Sequence, residues 1–62
     1  MNQTHMVILR LPVVLTRTGL SKSTIYVAMR RGTFPRPVQL GARARGWREL
    51  DIQNWLDSRA SA

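Results

Sequence analysis

Two short segments with apolar residues at helical spacing are split by Gly19. A proline-bounded stretch carrying Arg43 and Arg45 then alternates as a β-hairpin, and a third helical pattern closes the chain. In 62 residues with a formal charge of +7, this order predicts a mainly α-helical domain with a small β-hairpin, the winged helix-turn-helix arrangement. A single domain over residues 1–62, ordered over about 7–59, is expected because a chain this short can bury only one compact core.

Met1 to His5 is polar and shows neither period nor cap, so it is expected to fray, with His5 a solvated side chain. Val7 to Leu9 are β-formers ahead of Arg10 and suit a short strand pairing with a later one. Pro12 fits the first turn of a helix, where its missing N–H costs nothing, and Leu11, Val14, Leu15 and Thr18 share one face. The spacing predicts a helix over Pro12 to Thr18, stopped by Gly19, which tolerates positive φ. Two turns do not stand alone in water, so this helix must pack on the rest.

Ser21 suits the N-cap of the next helix, and Leu20 before it is placed to pack on Ile25 as a hydrophobic staple. Thr24 holds the place where a full capping box needs Glu or Gln. Ile25, Ala28 and Met29 line an inner face, while Ser23, Tyr26, Val27, Arg30 and Arg31 spread over the outer one, and Gly32 closes the helix.

Phe34-Pro35-Arg36-Pro37 then forbids helix. Val38 to Leu40 alternates as a half-buried strand, Gly41 to Arg43 reads as a turn, and Arg45 to Arg48, containing Trp47, reads as the return strand. The hairpin tip is expected to carry Arg43 and Arg45, with Arg36 and Arg48 at its base. Such a wing lies along a DNA backbone or enters the minor groove, where arginine meets negative potential. The plainer reading is a surface hairpin kept soluble by arginine. Glu49 to Ser58 sets Ile52, Trp55 and Leu56 at helical spacing, with acids at its start and Arg59 near its end, an order that complements the helix dipole. Trp55 reads as core, Trp47 as core or contact, and Ala60 to Ala62 as a tail.

Charge narrows the function classes. Met1 to Arg48 holds nine Lys and Arg and no Asp or Glu, whereas Glu49, Asp51 and Asp57 sit with Arg59 in the last segment. Solubility alone would mix both signs, so this asymmetry selects a polyanion, nucleic acid before an anionic membrane surface, with the last segment turned away from it. Without cysteine and with one histidine, neither a disulfide framework nor a protein-only zinc site is available, and no cofactor, metal or small-molecule ligand is expected. The acids share one segment, and neither a nucleophile-base set nor a phosphate-cradling glycine loop is present, so an enzyme is not expected. The apolar run Met6 to Leu9, stopped by Arg10, is too short for a signal peptide, and nothing nears the roughly 20 residues of a membrane span. A cytoplasmic, nucleoid-associated protein is the expectation.

The motifs Leu9-Arg10-Leu11-Pro12, Thr18-Gly19-Leu20-Ser21, Ser23-Thr24-Ile25-Tyr26, Gly32-Thr33-Phe34-Pro35, Pro37-Val38, Leu40-Gly41, Gly46-Trp47-Arg48 and Ile52 with Trp55-Leu56 follow one another in order. This set resembles the AlpA-type prophage regulators, which belong with the small excisionases to the MerR-like winged-helix group. The resemblance runs from about Leu9 to Arg59. It implies a DNA-binding protein of a phage, prophage or integrative element that regulates an integrase or excision gene, or that directs excision by bending attachment-site DNA. Two positions depart from the pattern: Val27 stands where relatives commonly have a basic or polar residue after the tyrosine, and Val13 where the first helix often has a polar one. Val27 suits either a thymine methyl or a partner-facing apolar spot.

The expected mechanism puts the second helix in the major groove of double-stranded DNA, with Ser23, Thr24, Tyr26, Val27 and Arg30 within reach of bases or flanking phosphates. Arg30 is assigned to guanine, Lys22, Tyr26 and Arg31 to phosphate, and Arg43 and Arg45 to the backbone or minor groove. One module covers little DNA, so further copies on adjacent sites or an integrase are the expected partners. Two other classes are a small RNA-binding protein, opposed by four aromatics that sit largely at core spacing, and a protein-binding inhibitor using Val13 and Val27.

Overall fold

The computed structural model describes residues 7–60. The expected fraying of Met1 to His5, His5 itself and the last two tail residues lie outside them. The order is β1 (Ile8–Leu9), α1 (Leu11–Thr18), α2 (Lys22–Arg31), β2 (Val38–Gln39), β3 (Arg45–Arg48) and α3 (Glu49–Ala60). Helix α1 thus begins one residue before the sequence expectation, and α3 runs on through Ala60, which was expected in the tail.

The helix ends follow their local chemistry. Gly19 and Gly32 take φ of 72° and 75° as C-caps, and the Gly19 N–H closes on the Leu15 carbonyl at 2.8 Å. The Thr18 hydroxyl donates to the Val14 carbonyl at 2.8 Å and accepts from the Leu20 N–H at 3.3 Å, tying the turn to the helix it leaves. Ser21 caps α2 by accepting from the Thr24 N–H at 3.3 Å, and the two hydroxyls share a 2.8 Å hydrogen bond.

The three strands form one antiparallel sheet in the order β1-β3-β2, so the partner of the first strand is the return strand of the hairpin. Ile8 faces Arg48 and Leu9 faces Trp47, while Val38 faces Gly46 and Gln39 faces Arg45. The Leu40 and Gly41 N–H groups both donate to the Ala44 carbonyl, at 2.7 and 3.2 Å, leaving Gly41 to Arg43 as the tip. The return strand has the expected bounds, so Arg45 opens β3 and only Arg43 of the two arginines expected at the tip lies in the turn itself. The ladder reaches one pair beyond β2, and this sets Arg45 back from the turn.

Among the described residues, six apolar side chains make the buried core: Leu9, Val14, Ile25, Phe34, Trp47 and Ile52. Each comes from a different segment, so no element folds independently of the others. Leu20 packs against the cluster, consistent with a staple at the α2 start. The segment between α2 and β2 has no regular structure, and its carbonyls are met by the two indoles. Trp47 donates to the Pro35 carbonyl and Trp55 to the Thr33 carbonyl, each at 2.9 Å. Phe34 sits edge-on to both rings, with centroids 6.4 and 4.9 Å away. Trp47 is therefore core. Trp55 is half-buried, with the Arg59 guanidinium 4.9 Å above its ring, so only part of the expected core role applies.

Strand β3 passes into α3 without a loop, and Arg17 at the end of α1 pairs with Glu49 at the start of α3 at 2.6 Å. Among the described residues, no helix is long and apolar enough to cross a membrane.

Candidate nucleic-acid interface

The outward face of α2 follows from its one buried residue. With Ile25 fully buried, Ser23, Val27 and Arg30 stand outermost at 100° per residue. Tyr26 lies on one flank, Thr24 and Arg31 on the other. Tyr26 and Val27 remain 39% and 38% exposed, an apolar surface that the fold itself does not use.

Three shallow clefts border this face and show which predicted residues are brought together. Tyr26 and Arg30 share one with Arg36 and Arg45, so the wing strand comes up beside the helix. Tyr26 and Arg45 also line a second cleft with Arg43 and Arg10, which opens toward the start of α1. On the opposite flank Ser23, Thr24, Val27 and Arg31 surround a third. Lys22 is exposed in the first turn of α2 and borders none of these three. Thr24 keeps its place on the face, but its hydroxyl is engaged by Ser21 in the cap.

The charge is segregated as well as large. Neither Asp nor Glu lines any of the three clefts, and all three acids lie on α3. Among the described residues, Arg17 is the one basic side chain in an ion pair, and Arg59 is the one stacked on an aromatic ring. Arg10, Lys22, Arg30, Arg31, Arg36, Arg43, Arg45 and Arg48 therefore have no carboxylate partner within the described fold. Unpaired cations on and around an outer helix face that carries no acid suit a polyanion.

Sequence reasoning gave Arg10 no contact role, using it to end an apolar run and within the Leu9-Arg10-Leu11-Pro12 motif, and placed Arg36 only at the base of the wing. The signal for Arg10 lay in its position, a basic residue at the N-cap of a helix with no acid in its first turn. That is the reverse of what the helix dipole favours.

Comparison with known proteins finds relatives of this chain. The family described as prophage CP4-57 regulatory protein (AlpA) matches residues 7–60. The chain is similar to the DNA-binding transcriptional activator AlpA of Escherichia coli (strain K12), with 38% identity over 64 residues, covering 94% of this chain and 91% of that protein. It is also similar to the uncharacterized protein ORF88 of enterobacteria phage P4, with 41% identity over 51 residues, covering 82% of this chain and 58% of that protein.

Proposed function

Because this chain belongs to the AlpA family of prophage regulatory proteins, we propose that it is a DNA-binding transcriptional regulator of a prophage or related element. It acts by binding and not by catalysis. The observation that carries the reading is the set of unpaired basic side chains around α2 and the wing, with every acid held on α3. In this reading α2 enters the major groove, where Ser23, Val27 and Arg30 reach base edges. Arg30 supplies the paired donors that suit guanine, and Val27 an apolar contact for a thymine methyl. Lys22, Tyr26, Arg31, Arg43 and Arg45 hold the flanking backbone, and Thr24 orders the start of the helix that carries them. Further copies on adjacent sites, or an integrase, extend the short contact that one module makes.

The test is footprinting on the promoters and attachment site of the element that encodes the chain, followed by binding measurements on the protected site and on random duplex. Arg30→Ala is expected to cost about 1–3 kcal/mol on the protected site and to relax preference at one base, whereas Arg43→Ala weakens both duplexes alike. Equal losses on the two duplexes for both variants would remove Arg30 from base reading. Protection confined to the attachment site, with strong bending, would replace transcriptional control by excision. Preference for structured RNA over duplex would overturn the DNA reading.

A further inference from the structure

We propose that the cleft between the start of α1 and the wing is a binding site for the DNA phosphodiester backbone, and that Arg10 is one of its ligands. The proposal rests on the DNA-binding reading above and adds a third segment to the interface. The cleft has a volume of about 470 Å³, and Arg10, Tyr26, Arg43 and Arg45 line it. Its three arginines arrive from separate places: the β1–α1 junction, the wing tip and strand β3. None has a carboxylate partner among the described residues, so the cleft is lined by three arginines and by no acid.

The local rules at Arg10 point the same way. Arg10 is the N-cap of α1, where its guanidinium, a donor only, cannot accept from the orphan N–H groups, and the first turn contains no acid. Its carbonyl serves the helix, accepting from the Val13 and Val14 N–H groups at 3.1 Å each, so any residue supplies that part. The side chain adds a positive charge where the helix dipole is already positive, which disfavours the folded protein alone. Residues that break a local rule without a compensating contact concentrate at functional or strained positions. A phosphate seated in the cleft answers both repulsions, between the arginines and against the helix end. This contact reads no base, so it strengthens binding to any duplex.

The experiment follows binding of a fluorescein-labelled random-sequence duplex by anisotropy across a salt series, for the wild type and for Arg10→Gln, Arg10→Lys, Arg43→Gln and Arg59→Gln. Arg10→Gln and Arg43→Gln are expected to make the slope of log K against log salt shallower by about 0.9 each, the value for one phosphate left without its cation. Arg10→Lys restores the slope, Arg59→Gln on α3 leaves it unchanged, and the Tm of Arg10→Gln equals or exceeds that of the wild type. A wild-type slope for Arg10→Gln beside a shallower one for Arg43→Gln overturns the proposal and leaves the DNA-binding reading standing. A lower Tm with failure of Arg10→Lys to restore the slope also overturns it, by making Arg10 structural. Absence of salt-dependent duplex binding by the wild type removes both readings.

Discussion

Substituting Gly46 by alanine is the sharpest test of how the first strand is held. A Cβ added at Gly46 falls 2.5 Å from the Ile8 Cγ2 and 2.9 Å from the Leu9 carbonyl oxygen, both on β1. The first contact is with a methyl that moves only with the restricted χ1 of a β-branched side chain, and the second is with backbone, which no rotamer change relieves. Relief requires β1 to move away from β3, against the Ile8–Arg48 and Leu9–Trp47 pairing and against Leu9, which is buried at 7% exposure. Overpacking of this kind costs about 1–3 kcal/mol. For a domain of this size that is a fall in Tm of roughly 4 to 24 °C. It is also a large share of the ~3–5 kcal/mol that so small a core supplies. Thermal unfolding by circular dichroism, with urea unfolding followed by tryptophan fluorescence, measures it. A double-mutant cycle with Ile8→Ala apportions it, because that change removes the side-chain clash and leaves the carbonyl one. A Tm for Gly46→Ala at or above the wild-type value would mean that β1 does not lie against Gly46, and the placement of Arg10 just after it would fall as well.

Two further outcomes test the helix junctions. Ser21→Ala removes the acceptor for the Thr24 N–H and is expected to lower stability by about 1 kcal/mol in urea unfolding, with Ser21→Gly milder; an unchanged midpoint would show that the cap adds nothing. The Arg17–Glu49 pair is about one-third exposed on both sides, so a cycle through Arg17→Met and Glu49→Gln should give a coupling of about 0–1 kcal/mol that fades with salt. A coupling well above that range would show a buried, structural pair.

Much of the fold was legible because its signals are local. Pro12, Gly19, Ser21, Gly32 and the Pro35–Pro37 stretch act on their own backbone and neighbours, so they mark helix starts, stops and the non-helical connection without reference to distant residues. Helical spacing likewise identified Val14, Ile25 and Ile52 as core. The outer face of α2 followed from the same period, and Ser23, Tyr26, Val27, Arg30 and Arg31 all surface there. Trp47 and Trp55 were harder. Their depth depends on the Thr33 and Pro35 carbonyls and on Phe34, a contact set that joins three segments.

Taken alone, the sequence determined the element types, the two glycine stops, a basic first part and an acidic last helix, since backbone restriction, side-chain period and charge are properties of short stretches. Tertiary structure decided which strand β1 joins, and with it where Arg10 stands. Strand pairing depends on residues 40 and 38 positions apart in the Ile8–Arg48 and Leu9–Trp47 register. It also decided which arginines are committed. Arg17 and Arg30 both stand in the last turn of a helix, yet Arg17 meets Glu49 while Arg30 faces an open cleft with Arg36 and Arg45. Equal residue type and equal local setting give different roles there, because a charge is neutralised by what packs beside it and not by its neighbours along the chain.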